Sequence, residues 1–221
     1  MTGPDVTREP RFVVFEGGEG SGKSTQCALL ADRLRFAGHD VVVTREPGAT
    51  PLGAEIRTLL LGTDGPAVDP RAEALLYAAD RAQHVAEVVR PALDRGAVVI
   101  SDRYVDSSIA YQGAGRSLDI VQVATVSRWA TGGLVPGMTI VLDIEPAAGL
   151  VRAGRVEAPD RLESEPLAFH ERVRAGFLAL AAVAPARYAV VDATGEPDAV
   201  AAEVARIVEA SIVETDARFS P

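Results

Sequence analysis

The sequence predicts an α/β domain: a five-stranded parallel sheet with helices on both faces. Two observations carry this. Short β-branched runs alternate with longer stretches of helical spacing, the pattern of strands buried on both sides. A glycine-rich segment, Gly17-Gly18-Glu19-Gly20-Ser21-Gly22-Lys23-Ser24, joins the first such run to the first helical stretch. At 221 residues and 48% apolar content the chain can bury one core, and its single cysteine, Cys27, excludes an intramolecular disulfide and a cysteine-based zinc site.

Residues 1–10 read as a polar arm, followed by the strand 12–16, Phe12-Val13-Val14-Phe15 with Glu16. A helix over 22–37 carries Cys27, Leu30, Ala31 and Leu34 on one face and stops at Gly38. Strand 41–44 leads into Thr44-Arg45-Glu46-Pro47-Gly48, a tight turn whose Glu46–Pro47 bond is a candidate cis peptide that would aim Arg45 inward. Helices over 52–61 and 70–90 precede strand 97–101 and the segment Asp102-Arg103-Tyr104. Then come helix 117–130, strand 139–143 and helix 146–154. The polar stretch 155–166 carries two prolines and reads as a loop or a lid. Helix 165–182, strand 188–192 and helix 197–213 complete the domain, 11–213, and 214–221 reads as a frayed tail.

The formal net charge of −9 argues against a nucleic-acid polymer as partner and for a small polyanion held by local arginines. No signal pattern and no run of membrane-span length is present, so a cytoplasmic protein is expected.

Lys23 is the only lysine in the chain, and it occupies the lysine position of the phosphate-binding pattern G-x-x-x-x-G-K-[ST]. An ammonium is a compact point charge that fits between nucleotide phosphates, where a planar guanidinium does not. Loop amides and the helix N-terminus point at the same place. Ser24 would supply a Mg²⁺ ligand, with Thr25 beside it, and Asp102 a second, water-mediated contact. Parallel sheets bind ligands beyond the carboxyl ends of their strands. That puts Arg45 and Arg103 on the rim with the loop, as a pair suited to a second phosphate. Tyr77 and Arg81, four apart on one helix, share a face that would suit a nucleobase; a core aromatic and a surface arginine is the plainer reading.

Phe15 to Thr25, Thr44 to Gly48, Asp102-Arg103-Tyr104, Ala110-Tyr111-Gln112-Gly113 and Asp160-Arg161-Leu162-Glu163 together resemble the thymidylate kinases, over about residues 11–210. The resemblance implies a P-loop nucleotide-kinase fold with a short lid, about 153–166, and transfer of the ATP γ-phosphoryl group to dTMP with Mg²⁺. It implies that Glu19 lies near the acceptor's sugar and phosphate and that Arg45 and Arg103 bind that phosphate. Tyr77 would stack on thymine and Arg81 bond its O4 edge; Ser108 and Gln112 would lie near the base and Tyr111 near the sugar. The loop has no arginine, which resembles the bacterial type with a lid arginine: Arg155, flanked by Arg152 on the nucleotide side and by Arg161. It also implies a homodimer.

Three rivals are weaker. A kinase for another nucleotide conflicts with Tyr77, Arg81 and Tyr111 through the resemblance. A deoxynucleoside kinase, with Glu16 or Glu19 as base, leaves the paired arginines without a phosphate. A GTP-dependent switch needs an Asn/Thr-Lys-x-Asp signature, which a chain with one lysine cannot contain.

Overall fold

A computed structural model describes residues 7–63, 65, 67–155 and 160–219, apart from the side chains of 212–219. Residues 1–6 of the expected arm, 156–159 of the expected lid and 220–221 of the tail lie outside the described residues. Five strands, β1 (Thr7–Glu16), β2 (Val41–Arg45), β3 (Val98–Asp102), β4 (Leu134–Asp143) and β5 (Tyr188–Asp192), form one sheet. Their order is β2-β3-β1-β4-β5 and every neighbouring pair is parallel. Placing β1 in the centre delivers the glycine loop to the middle of the sheet's carboxyl edge.

Strand alternation builds the two faces. Val13 and Phe15 meet Cys27, Leu30 and Leu34 of α1 (Lys23–Phe36) and Val204 and Val208 of α9 (Pro197–Phe219). Phe12 and Val14 face the other way, against Val85, Val89, Ala92 and Tyr104. Each such apolar side chain contributes about 1.5–3 kcal/mol on burial. In a third cluster, α2 (Pro51–Leu61), α3 (Pro70–His84) and α8 (Leu167–Val183) bring Ile56, Leu60, Tyr77, Phe169 and Phe177 together.

Five boundaries differ from the sequence reading, among them the start of β4 at Leu134, five residues before the expected 139. Thr7 to Glu9 pair with Leu134 to Pro136, so residues 7–10 belong to the central strand and not to a polar arm. A register shift between Glu9 and Val13 accommodates Pro10, which packs on Gly137 where any Cβ would collide. The helix expected to end at 90 continues through a π turn, Val85–Val89, into α4 (Arg90–Asp94). Helix α5 (Val105–Ser108) runs into a π segment, Ile109–Gly115, that the apolar spacing did not mark. At the C-terminus α9 extends to Phe219, so residues 214–219 are helical and not a frayed tail. The remaining elements are α6 (Ile120–Thr131) and α7 (Pro146–Ala153).

Candidate active site

One cavity of about 730 Å³ opens at the carboxyl edge of the sheet. Its wall includes Glu19, Gly20, Gly22, Lys23, Ser24 and Thr25 from the loop and first turn of α1, Arg45 at the end of β2, Asp102 at the end of β3, and Arg103 next to it. Register explains the convergence: Phe15 and Arg45 both pair with Asp102, so three strands end level.

Lys23 curls back into the loop, where Nζ donates to the carbonyls of Gly18 (2.7 Å) and Gly17 (3.2 Å) and to Ser21 Oγ (3.3 Å). Burial, and then the charge of Arg103, lower its pKa, with Glu19 and Asp102 opposing. Gly20 and Gly22 have φ of 63° and 89°, values that glycine adopts without strain. At Gly20 space is decisive too: a Cβ there would collide with the carbonyl oxygen of Gly149 on α7. Ser24 Oγ donates to Asp102 Oδ2 at 2.5 Å, so two oxygen donors expected near a hard cation stand side by side.

Arg103 anchors a second cluster on the cavity wall. Its φ of 73° is uncommon for a residue with a side chain, and such strain is held where the surroundings over-determine it. Nη2 donates to Glu19 Oε1 (2.9 Å), Nη1 to Gly17 O (3.1 Å) and Ser107 Oγ (3.2 Å), and the guanidinium lies 5.0 Å from the Tyr111 ring centre. Tyr111 donates its hydroxyl to the same Glu19 oxygen at 2.5 Å. Burial acts to raise the Glu19 carboxyl, but Arg103, Lys23 and the Tyr111 hydrogen bond outweigh it and hold it at about 2. Glu19 is therefore ionised at neutral pH, an orienting anion and not a base. Beneath Arg103, Glu16 accepts from Tyr104 N (2.9 Å), Ser107 N (3.0 Å) and Ser107 Oγ (2.6 Å). Burial first and Asp106 second push its carboxyl up to about 8.

Tyr77, Ser108, Tyr111 and Gln112, the residues the resemblance associates with base and sugar, also line the cavity. Arg81 does not reach this wall. It is fully buried, with Nε on Glu46 Oε2 (2.8 Å), Nη2 on Tyr104 O (3.0 Å) and Nη1 on Ser108 Oγ (3.2 Å) and Ser127 Oγ (3.4 Å). Expected at the base edge, Arg81 stands behind Ser108, to whose Oγ it donates. The reason is Glu46, whose buried carboxylate needs a cation and takes Arg81 on one oxygen and His84 on the other (2.8 Å). The Glu46–Pro47 bond is cis, and Arg45 beyond it lines the cavity and is exposed. Arg57, on the wall with Nη1 on Pro47 O, carried no motif in the sequence.

The three lid-region arginines separate cleanly. Arg152 lines the cavity and donates to Ala193 O (2.7 Å) and Thr194 O (2.9 Å), which fixes the loop after β5. Arg161 is tied to Leu60 O (2.7 Å) and Glu73 Oε2 (2.5 Å). Arg155 is exposed, its side chain with no hydrogen-bond or ion-pair partner among the described residues.

Two phosphate-suited clusters in one cavity agree with comparison to known proteins. A sequence model of the family described as thymidylate kinase matches residues 15–204. The chain belongs to the thymidylate kinase family. Among its relatives, a thymidylate kinase of Clavibacter sepedonicus is 56% identical over 194 residues, 87% of this chain and 92% of the relative. A thymidylate kinase of Deinococcus radiodurans is 55% identical over 195 residues, 87% of this chain and 93% of the relative. The crystal structure of thymidylate kinase from Ehrlichia chaffeensis superposes with a TM-score of 0.73 at 32% identity, covering 90% of this chain and 97% of that one. The family's P-loop kinase fold is therefore the fold of this chain, as the resemblance implied, and its parallel sheet is the one the alternation of runs predicted.

Proposed function

We propose that the cavity binds ATP at its glycine-loop end and dTMP at its Arg45–Tyr77–Gln112 end. The activity is the family's: ATP-dependent phosphorylation of dTMP, giving dTDP and ADP, in dTTP biosynthesis. The observation that carries the arrangement is that Arg45 and Arg103 line the same cavity as Lys23 and Ser24. Two phosphate groups held there would face each other, as transfer between nucleotides requires.

Lys23 and the amides of Gly17 to Thr25 would hold the donor phosphates, and Arg152 would sit beside the donor nucleotide. Arg103, aimed by Glu19 and Ser107, would hold the acceptor phosphate with Arg45. That phosphate is already anionic, so no general base is needed, which suits a Glu19 held ionised. Tyr77 would stack on thymine, and Tyr111 would crowd the 2′ position of the sugar. Arg155 has no side-chain partner among the described residues and would reach the transferring phosphoryl group from the lid; Arg152 and Arg161 have backbone or carboxylate partners to keep. Ser24 Oγ and Asp102 Oδ2 fit Mg²⁺: both are oxygen donors, and the rest of a magnesium shell is water and phosphate oxygen. The ion would neutralise charge on the phosphate groups.

We also read the chain as a cytoplasmic homodimer. No described helix is long and apolar enough to cross a membrane. Helices α2, α3 and α6 pack as one layer whose surface leaves Leu52, Leu59, Leu75, Val121 and Trp129 exposed, which supports burial against a second copy. The reading is tested by supplying Mg-ATP with dTMP, dUMP, dCMP or thymidine in turn. dTMP should be turned over fastest, and clear turnover of another acceptor with none of dTMP would overturn it.

A further inference from the structure

Glu73 stands on α3 with its carboxylate fully buried, and it is joined by four donor atoms from three residues. Oε1 accepts from Gln112 Nε2 (2.9 Å) and Arg116 Nε (3.3 Å), and Oε2 from Arg161 Nη2 (2.5 Å) and Arg116 Nη2 (3.3 Å). An ionised carboxylate only accepts hydrogen bonds, whereas a side-chain amide has a donating and an accepting end of nearly equal shape. Facing Glu73, the amide of Gln112 has one satisfactory orientation, with Nε2 on the carboxylate and Oε1 turned from it. Gln112 lines the acceptor end of the cavity, and its Oε1 accepts no hydrogen bond among the described residues.

We propose that Glu73 is a specificity-determining positioning residue: it locks the Gln112 amide so that the cavity wall offers an acceptor, Oε1, to the base. An imide base such as thymine carries an N–H at N3 and satisfies that acceptor. Cytosine presents a lone pair at N3 and opposes it, leaving both groups unpaired in a buried site. The proposal rests on the reading that the acceptor base lies at the Tyr77–Gln112 end. Arg116 and Arg161 make the lock rigid by holding Glu73 ionised and fixed from its other side.

The test compares kcat/KM for dTMP, dUMP and dCMP in the full-length protein and in Glu73→Gln, whose amide tolerates either orientation of Gln112. The two imide acceptors should fall by the same factor and dCMP by less, so that the dTMP:dCMP ratio contracts about tenfold. A loss of general packing would lower all three alike, and that result would overturn the proposal. Glu73→Asp, which keeps the charge for both arginines but withdraws the oxygen from Gln112, should give the same pattern and serves if the first variant does not fold. Gln112→Leu separates the two levels. A contracted ratio there beside an unchanged ratio in both Glu73 variants overturns the role of Glu73 alone. An unchanged ratio in Gln112→Leu overturns the placement of the base, and this proposal with it.

Discussion

At the scale of single residues, Lys23 and Glu19 carry the sharpest consequences. Lys23 is buried among loop carbonyls, so Lys23→Arg keeps the charge but not the shape. The variant should lose at least about a hundredfold in kcat with its fold intact, and near-normal turnover in a coupled ADP-release assay would refute the steric account. Glu19 has a folded-state carboxyl at about 2, below its ordinary value of 4.5. Its contribution to stability is present above pH 4.5 and is lost as pH falls towards 2. Thermal denaturation between pH 3 and 6 should therefore show an acid-side loss that Glu19→Gln makes shallower. Lys23, Arg45, Arg103 and the Tyr77–Gln112 wall were legible because each lies in a contiguous motif at a strand end or is named by the family resemblance. The setting of Arg81 was not, because its four partners come from three separate segments. Glu73 escaped for the same reason: its partners lie 39 to 88 residues away, and only the fold brings them together.

Among the elements, the strands were the easiest to read, since a run such as Val98 to Ile100 buried on both faces has no polar alternation to confuse it. Residues 105–115 were not read as helical because Tyr, Gln and Gly in a π segment break the usual spacing while still delivering Tyr111 and Gln112 to the wall. The lid region separates by function. Arg155→Ala should lower kcat well over tenfold with the KM for dTMP little changed, the pattern of a contact made in the transition state. Arg161→Ala should instead lower thermal stability, because it leaves Glu73 and the Leu60 carbonyl short of a donor. If Arg152→Ala or Arg161→Ala shows the kcat effect and Arg155→Ala does not, the assignment of the lid arginine is wrong.

For the molecule as a whole, the buried Glu16–Asp106 pair sets the alkaline side of stability. The Glu16 carboxyl is raised from 4.5 to about 8 by burial and by Asp106, so the folded state keeps a proton that the unfolded chain releases near 4.5. Stability from this group is full below pH 4.5 and declines as pH rises through 8. Melting temperature should fall between pH 6 and 9 in the native sequence and fall less in Glu16→Gln. Assembly is checked by sedimentation: Leu75→Glu, placed on the exposed apolar layer, should convert a dimer to a monomer, and an unchanged sedimentation coefficient would remove that surface from the interface. The pair Gly20 and Gly149 reaches furthest. Loop and α7 touch backbone to backbone, since a Cβ on Gly149 would in turn strike the Glu19 carbonyl oxygen. For protein engineering this makes the two segments a single graft. A glycine loop borrowed from another kinase would seat here only with its own cognate α7, and a recombination breakpoint anywhere from 20 to 149 would separate halves shaped for each other.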